Sequence, residues 1–178
     1  MTSTWIPMRS VDLRPETPND HQPIYAVHAS SFPTPDEARL VDALRDAGHL
    51  TASWVAVATP GVVGHVAFSP VTLAGASGGV GLGPVAVLLE FRQRGVADRL
   101  VREGLADCRR RGHTFVVVLG DPAYYHRFGF KPASDWGLRC VYEGGDAFQA
   151  LELQPGAIPS GGGLVEYAPE FGGLSACQ

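Results

Sequence analysis

The sequence predicts a single α/β domain in which helices flank a mixed β-sheet, and three observations carry that prediction. The chain has 178 residues, enough for one compact domain with a substantial core. A strand, a strongly amphipathic helix and a second apolar strand follow one another over residues 80–119, and such a series normally forms a right-handed parallel unit. Two strand-like runs over residues 54–69 add an antiparallel hairpin.

The N-terminal part is expected to begin with a flexible lead-in over residues 1–8. Residues 10–14 alternate between polar and apolar side chains, as a short strand does. Asn19 or Asp20 is placed to cap a helix over residues 20–30. The domain is predicted to span residues 9–170, with 171–178 as a C-terminal tail.

The second helix has a clear start signal. Thr34, Pro35 and Glu37 have the spacing of a capping box with proline at the first helical position. Its apolar stripe consists of Leu40, Val41 and Leu44. Gly48 is predicted to end the helix.

The middle of the chain is predicted to be mostly strand. The hairpin strands cover residues 54–58 and 62–69, with the turn at Thr59–Gly61. A loop of small residues is expected over 73–79. A long strand then runs over about 80–88.

The helix that follows is predicted over residues 95–111, with Gly112 as its stop signal. Its buried face is expected to comprise Val96, Ala97, Leu100, Val101, Gly104, Leu105 and Cys108. Asp98, Arg99, Arg102, Asp107 and Arg109 are expected to lie outside that stripe. The apolar run 115–119 is predicted to be the next strand.

The C-terminal third is predicted to hold one very short helix and several strands. The helix covers residues 124–128 and is closed by Gly129. Strands are expected around 138–142, 148–153 and 164–167. The last of these is expected to be an edge strand, which would support a homodimer.

Composition excludes several classes of protein. A net charge of −4 argues against nucleic acid as the principal partner, because such domains usually carry a basic excess. The three cysteines and six histidines lack the spacing of metal ligands, so no metal is expected. The unpaired cysteines suit a reducing cytoplasm. No apolar run is long enough to span a membrane, and no signal peptide is visible.

The segment from residue 84 to residue 97 is the most informative about function. An apolar strand leads through a short turn into Arg92–Ala97, which fits the pattern [Q/R]-x-x-G-x-[G/A]. An amphipathic helix begins at once. A loop at a helix N-terminus presents backbone N–H groups that bind phosphate, and Gly95 allows close backbone approach. The segment therefore predicts a phosphate-binding loop.

Taken together, these segments resemble the GNAT superfamily of N-acetyltransferases. The resemblance rests on Pro84–Val87 followed by Arg92–Ala97, on Phe115–Gly120 and on Tyr125–Phe130. More narrowly, the chain is similar to the bacterial YhbS-like predicted acetyltransferases through Leu119–Ser134, Glu37–Leu44 and Gly64–Ser69. The similarity covers about residues 10 to 170. It implies the acyl-CoA N-acyltransferase fold, with a splayed sheet, and acetyl-CoA as cofactor.

The resemblance implies roles for two groups of residues at the cofactor. The strand residues Val85, Ala86 and Val87 would contact the pantetheine arm, with Val85 and Val87 using their backbone as a neighbouring strand would. The pyrophosphate would be held by Arg92, Gln93, Arg94, Gly95, Val96 and Ala97. The gap between the strands at 80–88 and 115–119 would admit the cofactor.

Tyr125 matches the general acid of the family. When an amine attacks a thioester, a thiolate leaves and needs a proton, which a phenol of pKa ~10 supplies and recovers. The alternative is that Tyr124 and Tyr125 are both packing aromatics on a short helix. Gly129 and Phe130 fix the register and favour Tyr125 as the acid.

The sequence departs from the family pattern at two places. Asp121 lies where many members have an asparagine, and Gly79–Gly83 has no carboxylate where many members have a glutamate base. The candidate bases are Asp36, Glu37, His65 or a chain of waters. The ordinary roles of these residues are helix capping for the two acids and strand packing for the histidine.

The predicted function is transfer of an acetyl group from acetyl-CoA to a small-molecule or peptide amine. The alternative is a non-catalytic acyl-CoA-binding or regulatory module on the same fold. The segment around Phe32 and Pro33 lies where the family binds its acceptor, and the same residues also suit a hydrophobic anchor. A G-x-S-x-G match at Gly75–Gly79 does not predict a hydrolase, because it lacks the strand before and the helix after that a nucleophile elbow needs.

Overall fold

The computed structural model describes residues 10–59 and 61–173. The helices are α1 (His21–Ser31), α2 (Asp36–Asp46), α3 (Val96–Arg110) and α4 (Pro122–Tyr125). The strands are β1 (Asp12–Pro15), β2 (Ala52–Ala58), β3 (Gly61–Leu73), β4 (Ala76–Val87), β5 (Phe115–Leu119), β6 (Lys131–Pro132), β7 (Leu138–Cys140), β8 (Phe148–Glu152) and β9 (Gly163–Tyr167). The expected lead-in over 1–8, Pro60 of the hairpin turn and the last five residues of the tail lie outside the described residues.

One mixed sheet organises the molecule, as predicted. Its strand order is β1-β2-β3-β4-β5-β8-β6, and β9 pairs with both β3 and β7. Along the main path only β4 and β5 are parallel, since α3 crosses over between them. The hairpin β2–β3 is antiparallel. The helix–strand order of the sequence therefore fixes the sheet topology.

The sheet opens between its two parallel strands. Gly79, Val80 and Gly81 of β4 pair with residues 115–117 of β5. Beyond Gly81 β4 continues to Val87 with β3 as its partner, and β5 turns away. The register between β3 and β4 shifts at residues 83–84, and a bulge of this kind bends a strand and re-aims it. The result is the splayed sheet that the sequence predicts.

Apolar side chains cover both faces of the sheet. α3 packs on one face, where a side chain at Gly104 would lie 2.1 Å from the Phe68 ring, so glycine lets helix and strand approach closely. On the opposite face α1 and α2 cover the N-terminal strands through Ile24, Val41 and Ala67. A separate cluster around Phe115, Val117 and Val165 lies under the C-terminal segments.

The predicted helices form, but one capping prediction is wrong. α2 begins at Asp36 with Pro35 as its N-cap, and no side chain caps it. The first helical bond runs from the Arg39 N–H to the Pro35 carbonyl, 2.9 Å, so Thr34 lies one residue too early to cap. The acidic first turn, Asp36 and Glu37, stabilises the helix start through its dipole instead.

Asp20 does occupy the N-cap position of α1, yet its carboxylate points back along the chain. It accepts from the Thr17 N–H at 2.7 Å and from Arg14 at 2.6 Å.

Asp107 of α3 is another correction, because it was expected outside the buried stripe and is only 7% exposed. It accepts from the Trp54 indole at 3.1 Å and pairs with Arg111, which compensates its burial.

Two further predictions about the strands are wrong. The expected loop over 73–79 is a two-residue turn, because Ala74 and Gly75 both adopt positive φ, 49° and 79°, as a tight hairpin turn requires. The strand at the end of the chain is not an edge strand. β9 has β3 on one side and β7 on the other, so the argument for a dimer through that strand fails.

Candidate functional site

The edge of β4 that faces β5 is open beyond Gly81. The Leu88 N–H donates to the Val63 carbonyl at 2.9 Å, and Ala86 pairs with His65. Hydrogen-bonded pairs alternate along an antiparallel ladder, so Ala86 turns its backbone to β3. Val85 and Val87 therefore turn theirs to the open edge. This edge offers an extended ligand the hydrogen bonds of a missing strand.

The loop 92–95 follows a single 3-10 turn at Leu89–Phe91 and is exposed on the surface. Gln93 and Gly95 adopt positive φ, 58° and 73°, and Gly95 is the N-cap of α3. The first helical bond of α3 runs from the Arg99 N–H to the Gly95 carbonyl, 3.0 Å. The preceding N–H groups, including those of Val96 and Ala97, have no helical partner and form an anion-binding helix start.

Arg92 ties this loop to the strand. Its Nε donates to the Val87 carbonyl at 2.8 Å, and Ser31 at the end of α1 makes a longer bond of 3.5 Å to the same oxygen. The Val87 carbonyl is therefore satisfied within the chain, while its N–H still faces the open edge. The Arg94 guanidinium lies over the Phe91 ring at 5.6 Å.

Tyr125 lies on α4, which begins just after β5 ends. Its side chain is 7% exposed and belongs to the cluster that contains Val87 and Val96. Its ring packs edge-on against Phe130, with centroids 5.7 Å apart. The ring also closes over Gly120, so it lies just after the carboxyl end of β5.

The two neighbouring tyrosines differ in surroundings. Burial, with a smaller effect of Tyr124, raises the pKa of Tyr125 to about 12, so its phenol stays protonated at neutral pH. The Tyr124 hydroxyl is enclosed without a hydrogen-bond partner, and Arg127 covers its ring at 4.5 Å. Arg127 also lies 3.9 Å from Asp98 of α3. Arg127 thus links the turn after α4 to α3 and covers Tyr124, which leaves Tyr125 as the candidate proton donor.

Asp121 has a local structural role. Its carboxylate accepts from the Ala123 N–H at 2.9 Å and caps α4. The neighbouring Gly120 carbonyl accepts from Gln149 at 3.1 Å. The turn that leads into α4 is therefore fixed from both sides.

Gly120 leaves room for the Tyr125 ring. A Cβ atom at this position would lie 2.4 Å from Cε2 of Tyr125. We expect Gly120→Ala to lower the free energy of unfolding by about 1–3 kcal/mol, the usual cost of overpacking, in a denaturant titration. In a Tyr125→Ala background the same change should cost almost nothing. An equal cost in both backgrounds would show that the ring is not the obstacle.

Two glycines of the stretch 79–83 have no space for a side chain, whereas Gly83 faces open space at a φ of 137°. A Cβ at Gly79 would lie 2.2 Å from the Phe115 ring, and a Cβ at Gly81 would lie 2.8 Å from the Tyr167 ring. Aromatic side chains thus fill both places. Of the other candidate bases, Asp36 lies 3.6 Å from Arg39 in an ion pair, and Glu37 has one carboxylate oxygen enclosed without a partner.

His65 belongs to a buried chain of polar side chains under α1. Both His28 and His65 are fully buried, and Nε2 of His28 lies 2.8 Å from Nδ1 of His65. The other ring nitrogen of His65 lies 2.8 Å from the Ser53 hydroxyl, which donates to Glu16. Arg45 donates to Glu16 at 2.9 Å. The chain thus runs from α1 through β3 and β2 to the segment after β1.

Burial controls the ionisation of these hydrogen-bonded side chains. Desolvation first, and then the nearby His65 and Arg45, lower the pKa of His28 to about 3. Desolvation also lowers the pKa of His65, against the opposing effect of Glu16. Burial raises the pKa of Glu16, but hydrogen bonds from His65, Arg45 and Ser53 outweigh it and hold the pKa well below its usual range. At neutral pH both histidines are uncharged and Glu16 is ionised.

Two other kinds of site were sought in the same structure. Over residues 10–59 and 61–173, no group of three or more histidine, cysteine or acidic side chains is arranged to hold a metal ion. In that same part of the chain, no helix has the length and apolar character needed to cross a membrane.

Comparison with known proteins finds similarity in both sequence and fold. The acetyltransferase (GNAT) domain profile matches residues 12–133. The uncharacterized N-acetyltransferase YhbS of Escherichia coli is 44% identical over 162 residues, which cover 89% of this chain and 97% of YhbS. The crystal structure of Escherichia coli YhbS with CoA superposes with a TM-score of 0.91 at 40% identity, covering 98% of this chain and 99% of that one. A Brucella melitensis GNAT acetyltransferase with acetyl-CoA gives 0.78 at 39% identity, covering 92% and 99%.

Proposed function

The chain belongs to the GNAT family of N-acetyltransferases, and from this premise we propose that it transfers an acetyl group from acetyl-CoA to the primary amine of a small molecule or peptide. The observation that carries the proposal is the open edge of β4 leading directly into the exposed start of α3. An extended amide chain that ends in a pyrophosphate matches these two features in order.

The residues present fit acetyl-CoA. Val85 and the Val87 N–H would pair with the amides of the pantetheine arm. The loop from Arg92 to Ala97 would hold the pyrophosphate through backbone N–H groups at the positive end of α3. The Arg92 side chain supports this loop, since its Nε is bonded to the Val87 carbonyl.

Bound acetyl-CoA supplies a thioester whose carbonyl carbon the amine attacks as the sulfur leaves. Tyr125 would protonate that sulfur, and this role is supported by its position just after the carboxyl end of β5 and by a phenol that is protonated at neutral pH. A protonated phenol gives up its proton and recovers one within the same turnover. Exchange of the phenol proton with bulk water is limited, because Tyr125 is only 7% exposed.

A cytoplasmic location belongs to the same proposal. Cys108 and Cys140 are free thiols, as expected in a reducing compartment. Acetyl-CoA and a soluble amine acceptor are the partners that the proposed reaction requires.

The phosphate loop provides a binding test. We expect Gly95→Val to weaken CoA binding about tenfold in calorimetry, because a β-branched residue at a φ of 73° costs about 1–3 kcal/mol and distorts the loop. Gly112→Val is the matched control, since Gly112 has a φ of 84° at the other end of α3. Equal CoA affinity in both variants would contradict a phosphate site at Gly95.

The activity itself is tested by thiol release from acetyl-CoA over a panel of primary amines, with the acetylated product identified by mass spectrometry. We expect at least one amine to be acetylated. Binding of CoA without turnover of any amine would favour the non-catalytic acyl-CoA-binding module. Failure of CoA to bind would reject both functions.

A further inference from the structure

We propose that His28, His65, Ser53 and Glu16 form a proton relay that carries the proton of the acceptor amine from the open edge of the sheet to the protein surface. The inference rests on the proposed function. An alkylammonium of pKa ~10.4 must lose a proton before it attacks, at a cost of about 4.6 kcal/mol at pH 7. Neither Gly79 nor Gly81 has space for a carboxylate, because aromatic rings face both positions, and the relay would supply the base that β4 lacks there.

The hydrogen bonds of the chain have one consistent direction. Ionised Glu16 only accepts, so the Ser53 hydroxyl donates to it. The Ser53 oxygen then accepts from Nε2–H of His65. His65 is uncharged, so its Nδ1 carries a lone pair and accepts from Nε2–H of His28. The Nδ1 atom of His28 is therefore left as a hydrogen-bond acceptor.

That last atom has no donor. Nδ1 of His28 is enclosed and lacks a hydrogen-bond partner within the described part of the chain. An unpaired buried acceptor destabilises the folded state. A donor at this position, either the acceptor nitrogen or a water bonded to it, would remove that destabilisation and complete the chain.

The inner end of the chain lies close to the open edge. His28 is three residues before Ser31 on α1, and such side chains are neighbours at about 5–6 Å. Ser31 contacts the Val87 carbonyl, and Val87 ends the open edge of β4. His65 is the register partner of Ala86 on the same strand. His28 also stacks on Phe32, with planes 4° apart, in the segment where the acceptor is expected.

The outer end of the chain reaches solvent. The Glu16 side chain is 14% exposed, and His21, 41% exposed, lies 3.8 Å from it. Arg45 pairs with Glu16 and also with Asp42. Asp20, paired with Arg14, is the other charged group near His65. Of these groups, Arg45 keeps Glu16 ionised and able to accept a hydrogen bond, together with the hydrogen bonds from His65 and Ser53.

The transfer balances at every atom. The ammonium gives a proton to Nδ1 of His28, directly or through the water, as Nε2–H of His28 passes its proton to Nδ1 of His65. Nε2–H of His65 passes its proton to Ser53, whose hydroxyl proton moves to Glu16 and then to solvent. Neutral histidines suit this role, because the proton moves through them without remaining on either ring.

His65→Gln tests the relay with little change in hydrogen bonding. A glutamine carbonyl can accept from His28 and its amide can donate to Ser53, but an amide does not pass the proton on. The acceptors are the best alkylamine of the panel and its fluorinated analogue of lower pKa. We expect kcat/KM for the alkylamine to fall about 100-fold at pH 7. The loss should shrink with the fluorinated amine and at higher pH.

Asp20→Asn is the control, because it removes the neighbouring ion pair with Arg14 and leaves the relay intact. It should show no such dependence on amine pKa. An equal loss for both amines at every pH would assign His65 a purely structural role, and an unchanged rate would show that the relay is not used. If the unsubstituted protein acetylates no amine, the proposed function itself fails.

Discussion

Replacing Tyr125 by phenylalanine is expected to lower kcat about 100-fold or more, within the usual 10²–10⁴ contribution of a general acid, and to leave the Kd for acetyl-CoA nearly unchanged. The change removes one oxygen and keeps the ring that packs against Phe130. Steady-state thiol release and calorimetry measure the two quantities. The sulfur then leaves as an unprotonated thiolate, which is why turnover falls while cosubstrate binding does not.

Tyr124→Phe is the matched control, because the two residues are adjacent on α4 and only their surroundings differ. It should retain most of the activity, since the Tyr124 hydroxyl is enclosed and makes no hydrogen bond. Similar losses in both variants would point to a defect in α4 packing. Full activity of Tyr125→Phe with a good acceptor would reject Tyr125 as the acid.

Lowering the pH is expected to destabilise the protein already at pH values well above those at which carboxylates titrate. An unfolded histidine binds a proton near pH 6.5, whereas folded His28 does so only near 3. Between these values the unfolded state binds more protons, so stability falls as the pH falls. For His28 alone the loss from pH 7 to pH 5 is about 2 kcal/mol. His65 shifts in the same direction and adds to it.

Glu16 extends this dependence to lower pH. Its folded pKa lies below its unfolded value of ~4.3, so its contribution is present above that value and is lost as pH falls further. Denaturant titrations from pH 7 to pH 4 measure the profile. A His28→Gln, His65→Gln double variant should be nearly flat between pH 7 and pH 5. A flat profile in the unsubstituted protein would contradict the buried neutral pair.

The β4–α3–β5 unit could be predicted because its signals are local. Its elements are marked by apolar runs, by a helical stripe and by glycines at 95 and 112. A crossover between parallel strands is then almost always right-handed. The turn at Ala74 could not be predicted, since alanine gives no sign of a positive φ. Asp107 was missed because its partner Trp54 is distant in sequence, so the pattern along α3 shows only a charged residue.

The candidate site likewise contains features that short motifs predict and features that they do not. The proposed phosphate loop and the proposed acid Tyr125 lie in short motifs, so the sequence and its family resemblance are enough to nominate them. The bond from Arg92 to the Val87 carbonyl was not predicted, because a motif does not reveal where a long side chain folds. The chain from Glu16 to His28 joins residues from separate elements through the sheet register, so no local pattern contains it. Phe115 and Tyr167 fill the space beside Gly79 and Gly81, and a local pattern does not reveal packing between residues so distant in sequence.

The open edge of β4 also bears on aggregation. A strand with unpaired N–H and C=O groups is a template for pairing with a strand of another molecule. Here Pro84 has no N–H to donate, and the bulge at Gly83 interrupts the run. Only the short stretch 85–87 remains flat enough to pair. The same irregularity that separates β4 from β5 thus keeps the edge accessible to a small extended ligand and makes it a poor partner for a second protein strand.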